Sequence, residues 1–349
     1  MSKTSVQTRW SKAEALAWHH RQPWLLGFNY VPSTAVNSTE FWQASSFDRT
    51  CIGRELAWAA AAGFNSCRVF MQEVVWEADA SGLRSRFAEF LDAAAGNGLS
   101  VMPVLFDDCA FNRQPPQLGP QPEPIPGRMM TGWTASPGHA RVLDRNAWPA
   151  LQRYVTEFVG AFAADPRVVA WDLYNEPGNE GMGGKNLPLL AATFAWARAA
   201  RPVQPLTVGI WNHGDPAFAG MNELQLCCSD VISFHLYGDL QSTGETLDRL
   251  AGQGRPVICT EWMARPLNSR MVTHLPLFRD RRAGCYVWGL VNGRTQTHIP
   301  WENLIGKLGT AEWFHDLFRA DGTPYDPAEI ALLRRLSPRR PAGSVLKSA

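Results

Sequence analysis

Eight apolar runs of strand length, separated by stretches of helical character, constrain this 349-residue chain more than any other feature. They are WLLGFNYV (24–31), SCRVF (66–70), LSVMPVLF (99–106), VVAWDLYN (168–175), PLTVGIW (205–211), VISFHLY (231–237), PVICTEW (256–262) and CYVWGLV (285–291). Continuous rather than alternating hydrophobicity marks strands covered on both faces, and repeated strand–helix units call for a parallel sheet. Eight such units close into a single-domain α/β fold, the (β/α)8 TIM barrel. The chain length is no obstacle, because α/β barrels routinely pass 200 residues as one domain.

The segments between the runs fit this reading. In IGRELAWAAAAGFNSCRVF an alanine-rich helix stops at Gly63, which can take the left-handed conformation at a helix end before the next strand. The grammar recurs in AWPALQRYVTEFVGAFAADPRVVAW, with Pro166 beyond the helix. No period of 20 to 50 residues repeats, so the pattern is not a solenoid. The expected division is an N-terminal extension over 1–23, a catalytic barrel over 24–335 and a C-terminal tail over 336–349. One connection is long and rich in Pro and Gly, the loop 107–146, and a loop of that length inside a compact domain is usually functional.

Composition narrows the partners. Hydrophobic residues make up 45% and charged residues 19%, and the formal net charge of +1 offers no global field for nucleic acid or an anionic membrane. A neutral partner is expected. No signal-peptide h-region opens the sequence and no run of about 18 apolar residues occurs, so a cytoplasmic location without membrane spans is expected. The cysteine count is odd, 7, and Cys67, Cys259 and Cys285 lie inside apolar runs, which suits buried reduced thiols. Neither CxxC nor HExxH is present, and no metal or other cofactor is expected. Oligomeric state is left open.

In such a barrel chemistry gathers at the C-terminal ends of the strands, where the βα loops open. Polar and aromatic residues fall there in every unit: Asn29, Arg68, Asp107 and Asp108, Asn175 and Glu176, then Trp211, Asn212 and His213, His235 and Tyr237, Glu261 and Trp262, and Trp288 and Asn292. Taken singly, a tryptophan in an apolar run is usually core and an arginine on a strand usually pairs with a structural carboxylate. Taken together they describe one rim with two glutamates, an arginine, a histidine and aromatic walls, which is what hydrolysis of a sugar acetal requires. Strand alternation would point Asn175 and Glu176 to opposite faces, so the strand must kink or end there.

With these residues in register the sequence resembles the clan A glycoside hydrolases, most closely those like family five, the cellulase, mannanase and xylanase type of barrel. The matching residues are Asn175-Glu176-Pro177, Thr260-Glu261-Trp262, Arg68 in GFNSCRVF, His235-x-Tyr237 and Trp288, and the likeness spans about residues 24 to 326. The resemblance implies Glu176 as acid/base and Glu261 as nucleophile of a retaining double displacement on β-linked oligosaccharides. It also implies that Asn175 bonds the sugar 2-hydroxyl, His235 binds near the acid/base, Arg68 and Tyr237 keep Glu261 ionised, and Trp288 stacks under the sugar.

Trp133, Trp211, Trp262 and Trp301 are candidate walls, and Asn29, Asp107, Asp108, Asn212, Asn292 and Arg294 candidate hydroxyl readers. The missing leader and the long loop favour exo action or short glycans. Other readings are an inactive carbohydrate-binding barrel, an endo-acting β-glycanase, and a metal-dependent barrel using Asp107, Asp108, His213 and His235.

Overall fold

The computed structural model describes residues 8–309 and 311–338, so most of the tail expected over 336–349 lies outside the described residues. Among the described residues nine strands form one sheet: β1 (Leu26–Tyr30), β2 (Ser66–Phe70), β3 (Ser100–Asp107), β4 (Trp171–Asn175), β5 (Leu206–Thr207), β6 (Gly209–Ile210), β7 (Ile232–His235), β8 (Val257–Trp262) and β9 (Gly284–Val287). The order is β5-β4-β3-β2-β1-β9-β8-β7-β6 and every pairing is parallel. β5 pairs with β4 through Trp171 and Leu206, and β6 pairs with β7 through Gly209 and Ser233. Only Val208 separates β5 from β6, so they are two pieces of one interrupted strand and the sheet closes. The chain is therefore the (β/α)8 barrel, with its fifth strand broken in the middle.

A Cβ at Gly209 would come within 2.9 Å of His235 Nε2, so glycine lets this strand pass close behind the imidazole. Continuous hydrophobicity signalled burial on both faces: every residue of β1, β2, β4, β7, β8 and β9 is buried. The helix Arg49–Ala62 ends at Gly63 with φ 108°, the left-handed cap anticipated from sequence.

The two mouths of the barrel differ. At the N-terminal mouth the helix Lys12–Arg21, started by a capping box between Ser11 and Glu14, buries Ala15 and Trp18 against Met102, Val169, Ile258 and Tyr286. The segment 1–23 thus includes a plug that completes the core. Asp230 fixes it to the seam by accepting from Trp10 N at 2.8 Å and from Leu206 N at 2.9 Å.

At the C-terminal mouth the long β3 connection is irregular only to 138, because His139–Leu143 is a short helix. Its tip is sewn to the segment after β9. Met130 N donates to Thr295 O at 2.8 Å, Gln296 Nε2 donates to Ile125 O at 2.8 Å, and Arg294 pairs with Glu123 at 2.9 Å.

Candidate active site

The site grows from a buried cation. Arg68, at the middle of β2 and fully buried, spends its guanidinium on four partners. Nε meets Asp172 Oδ2 at 2.9 Å, Nη1 meets Asn29 Oδ1 and Glu261 Oε1 at 2.8 Å each, and Nη2 meets Asn175 Oδ1 at 2.7 Å. Planar fork geometry and permanent charge suit arginine to this bridging of three strands. Arg68 lies beneath Glu261 and does not line the cavity, so it is a positioning residue and not a direct sugar ligand.

β4 ends at Asn175, and Glu176 takes φ 43°, the left-handed region uncommon for residues other than glycine. This turn resolves the alternation problem, since Asn175 and Glu176 both line one cavity. Asp108 holds the turn by accepting from Gly178 N at 2.7 Å, from Tyr174 Oη at 2.8 Å and from Asn186. Burial lifts Asp108 to about 7. It is fully engaged as a brace and does not reach the cavity, which corrects its expected role as a hydroxyl reader.

The two glutamates meet across His235. Its Nδ1 lies 2.8 Å from Glu176 Oε1 and 3.6 Å from Glu261 Oε2, and ligating atoms of all three side chains lie within 4.8 Å of one another. Glu261 Oε2 also accepts from Tyr237 Oη at 2.8 Å. Glu176 Oε2 accepts from Asn179 Nδ2 at 2.6 Å and from the Cys109 thiol at 3.4 Å.

Burial raises the pKa of both carboxyls and lowers that of His235 to about 4, leaving a neutral imidazole near neutral pH. The neighbours then decide which carboxyl ionises first. Glu261 is in contact with the permanent charge of Arg68, whereas Glu176 has only neutral donors. Of the two carboxyls, Glu261 is therefore the one favoured to ionise first. The three side chains could also present oxygen and nitrogen to a cation, but Arg68 and Tyr237 already occupy the two oxygens of Glu261.

The cavity above this cluster measures about 420 Å3, the size of a small-ligand site. Of the expected walls, Trp133, Trp211, Trp288 and Trp301 line it. Asp107 lines it as well. Its carboxylate orients Trp133, accepting from Nε1 at 2.7 Å, and Asn175, accepting from Nδ2 at 2.9 Å.

Trp262 does not line the cavity. One residue beyond Glu261, it points outward and stacks on His274 of the helix Met271–Asp280, with ring centroids 5.7 Å apart. Asn29 is also displaced from its expected place: its amide is spent on Thr260 O and Val287 O and its oxygen on Arg68. Asn212 accepts from Asp215 N in the loop after β6, and Asn292 lines a separate shallow depression. Arg294 pairs with Glu40 and Glu123. His213 bonds the His235 carbonyl and Arg249, outside the cavity.

Several contributors escaped the sequence reading. Asp172 carried a signal, a carboxylate inside an apolar strand that matches an arginine inside another. Cys109, Phe111, Met129, Met130 and Asn179 lie on loops and Asn303 in the first turn of the short helix Glu302–Leu308, and they carried none.

No known family profile matches the chain, and no curated protein matches it in sequence. Solved structures do. The chain is similar to the exo-β-1,4-mannosidase of Opitutaceae bacterium strain TAV5, with a TM-score of 0.57 and 18% identity over 89% of this chain and 59% of that one. It thus spans 59% of that enzyme's length. It is also similar to GH5_18 of Streptomyces cattleya in complex with GlcNAc, with a TM-score of 0.58, 14% identity and coverage of 91% and 82%. The endo-1,4-β-mannanase of Rhizomucor miehei gives a TM-score of 0.58, 12% identity and coverage of 90% and 93%. Identities this low speak to fold alone, and the fold shared with these structures is the (β/α)8 barrel.

Proposed function

We propose that the protein is a retaining glycoside hydrolase acting on short β-linked glycosides. One observation carries the reading: two carboxyls whose oxygens lie within 4.8 Å of each other, one held by a buried cation and a phenol and the other by neutral donors. Retaining enzymes place their carboxyl pair about 5–5.5 Å apart, whereas inverting ones need roughly 6.5–9.5 Å to admit a water.

Glu261, ionised beside Arg68 and Tyr237, attacks the anomeric carbon while Glu176 gives its proton to the departing glycosidic oxygen. Glu176, now a carboxylate, then takes a proton from water as that water attacks the glycosyl–Glu261 ester, and both residues return to their starting states. Asn175, fixed between Arg68 and Asp107, reaches the sugar 2-hydroxyl, and Trp288 offers its face to the ring. The loop 107–138, sewn to the segment after β9, closes one end of the groove and favours short substrates or exo action. β-Mannosides, β-glucosides and β-xylosides are the sugars to examine first, and the mannosidase and mannanase among the similar structures support including the first.

A screen of nitrophenyl glycosides in both anomeric series, with the anomer of the first-formed product followed by NMR, tests this. Turnover of a β-glycoside with a β-configured first product is expected. Turnover of α-glycosides alone, or an inverted product, would sink it.

A further inference from the structure

Hydroxyls taken out of water with a sugar need partners, because a buried polar group left unpaired opposes binding. Around this cavity most polar side chains already bond one another or the backbone. Asp107 holds Asn175 and Trp133, Asn179 holds Glu176, Tyr237 holds Glu261, and Trp211 Nε1 donates to Pro177 O at 3.1 Å. Three other lining side chains, Trp288, Trp301 and Asn303, carry nitrogen groups with no hydrogen-bond partner among the described residues. His235 Nε2 has none either, but it is buried against Gly209. The two indoles can only donate. Asn303 offers both a donor and an acceptor, so it can meet a hydroxyl in either role.

Trp301 sets where that amide stands. Its ring packs edge-on against Tyr237, with centroids 5.0 Å apart, and against Phe314 at 5.0 Å. Tyr237 Oη donates to Glu261, so Trp301 is one side chain away from the proposed nucleophile. The short helix Glu302–Leu308 follows directly, none of its residues is buried, and Arg128 from the loop after β3 reaches Glu302 across the mouth. Asn303, in the first turn, is exposed and lines the cavity. The fold gains no hydrogen bond from an amide at this place.

We propose that Asn303 is a specificity-determining residue that hydrogen-bonds a sugar hydroxyl other than the 2-hydroxyl assigned to Asn175. This rests on the glycosidase reading above and names the part of the sugar that the segment after β9 recognises.

The test uses the full chain and the sugar identified by the nitrophenyl screen. kcat/KM is measured for the nitrophenyl β-glycoside of that sugar and for analogues each lacking one hydroxyl, in the wild type and in Asn303→Ala. Alanine is the best helix former and the position is exposed, so the variant should fold. It should lose roughly three- to tenfold on the parent sugar, the scale of one neutral hydrogen bond. On one analogue lacking a hydroxyl other than the 2-hydroxyl it should match the wild type, because that substrate has already lost the contact. On the 2-deoxy analogue, which keeps the contact, the full loss should return. Equal losses on every analogue, or no loss on any substrate, would overturn the role of Asn303 while leaving the hydrolase reading in place. No hydrolysis of any nitrophenyl glycoside by the wild type would instead overturn the hydrolase reading and this inference with it.

Discussion

The two sides of the cavity hold their carboxyls by different means. Glu261 stands on β8, locked by Arg68 and Tyr237 from β2 and the end of β7, and Arg68 is itself fixed by Asp172. Glu176 stands on a left-handed turn just past β4, held by His235, Asn179 and Cys109, none of them charged near neutral pH. On the proposed mechanism, the group that must stay ionised is thus built on strands around a permanent cation. A group that must gain and lose a proton is built on a turn among neutral donors.

Removing each carboxyl gives the largest contrast. Glu261→Ala should lower turnover by roughly four orders of magnitude or more, the scale seen when a nucleophile is deleted. Azide or formate should restore turnover with the inverted product, read by NMR. Glu176→Ala should cost roughly 10²- to 10⁴-fold on an unactivated substrate. It should cost far less in the burst phase on a dinitrophenyl glycoside, whose leaving group needs no proton. Equal losses on both substrates would erase the division of labour.

Stability should separate the sides next. Arg68→Met leaves Asp172 and Glu261 buried without their cation, and urea denaturation should show a loss of about 3–5 kcal/mol. On the Glu176 side Asn179→Ala removes bonds to Glu176, Cys109 and Glu180 N at a partly exposed turn, with no permanent charge left unpaired, and should cost only about 1–2 kcal/mol. Similar losses would mean that both sides depend on charge alike.

The smallest effect is in the pH profile. Burial raises Glu176, while the donors Cys109 and Asn179 favour its carboxylate and pull the other way. Without either donor Glu176 keeps its proton to higher pH, so the basic limb of kcat/KM should move upward in Cys109→Ala and Asn179→Ala. The acidic limb, set by Glu261, should stay in place. A downward move of the basic limb would show that Glu176 is not the group titrating there.

Much of this was readable from the chain because buried parallel strands must be apolar throughout, and the functional residues stood out as exceptions to that rule. Of the residues that carried the family likeness, Arg68, Asn175, Glu176, His235, Tyr237, Glu261 and Trp288 converge on one cluster or its immediate support, and Pro177 and Trp262 do not line the cavity. What failed was direction. A position at the rim does not say whether a side chain faces the cavity, and Trp262, Asn29 and Asp108 all stand at the rim while pointing into core or bracing roles. Alternation from Glu261 would have turned Trp262 outward. The loop residues were illegible because nothing local fixes where Phe111 or Met129 will fold back, and that depends on bonds to a segment more than 160 residues away, as between Gly127 and Gln296.

That stitching has a consequence for inheritance and engineering. The loop after β3 and the segment after β9 share backbone and side-chain bonds at Met130–Thr295, Ile125–Gln296 and Glu123–Arg294, with Arg128 reaching Glu302. They behave as one exchangeable cassette. A graft that carries only the first loop into a related barrel would strand Glu123, Ile125 and Gly127 without their partners, and a graft that carries both would transplant the bonds intact.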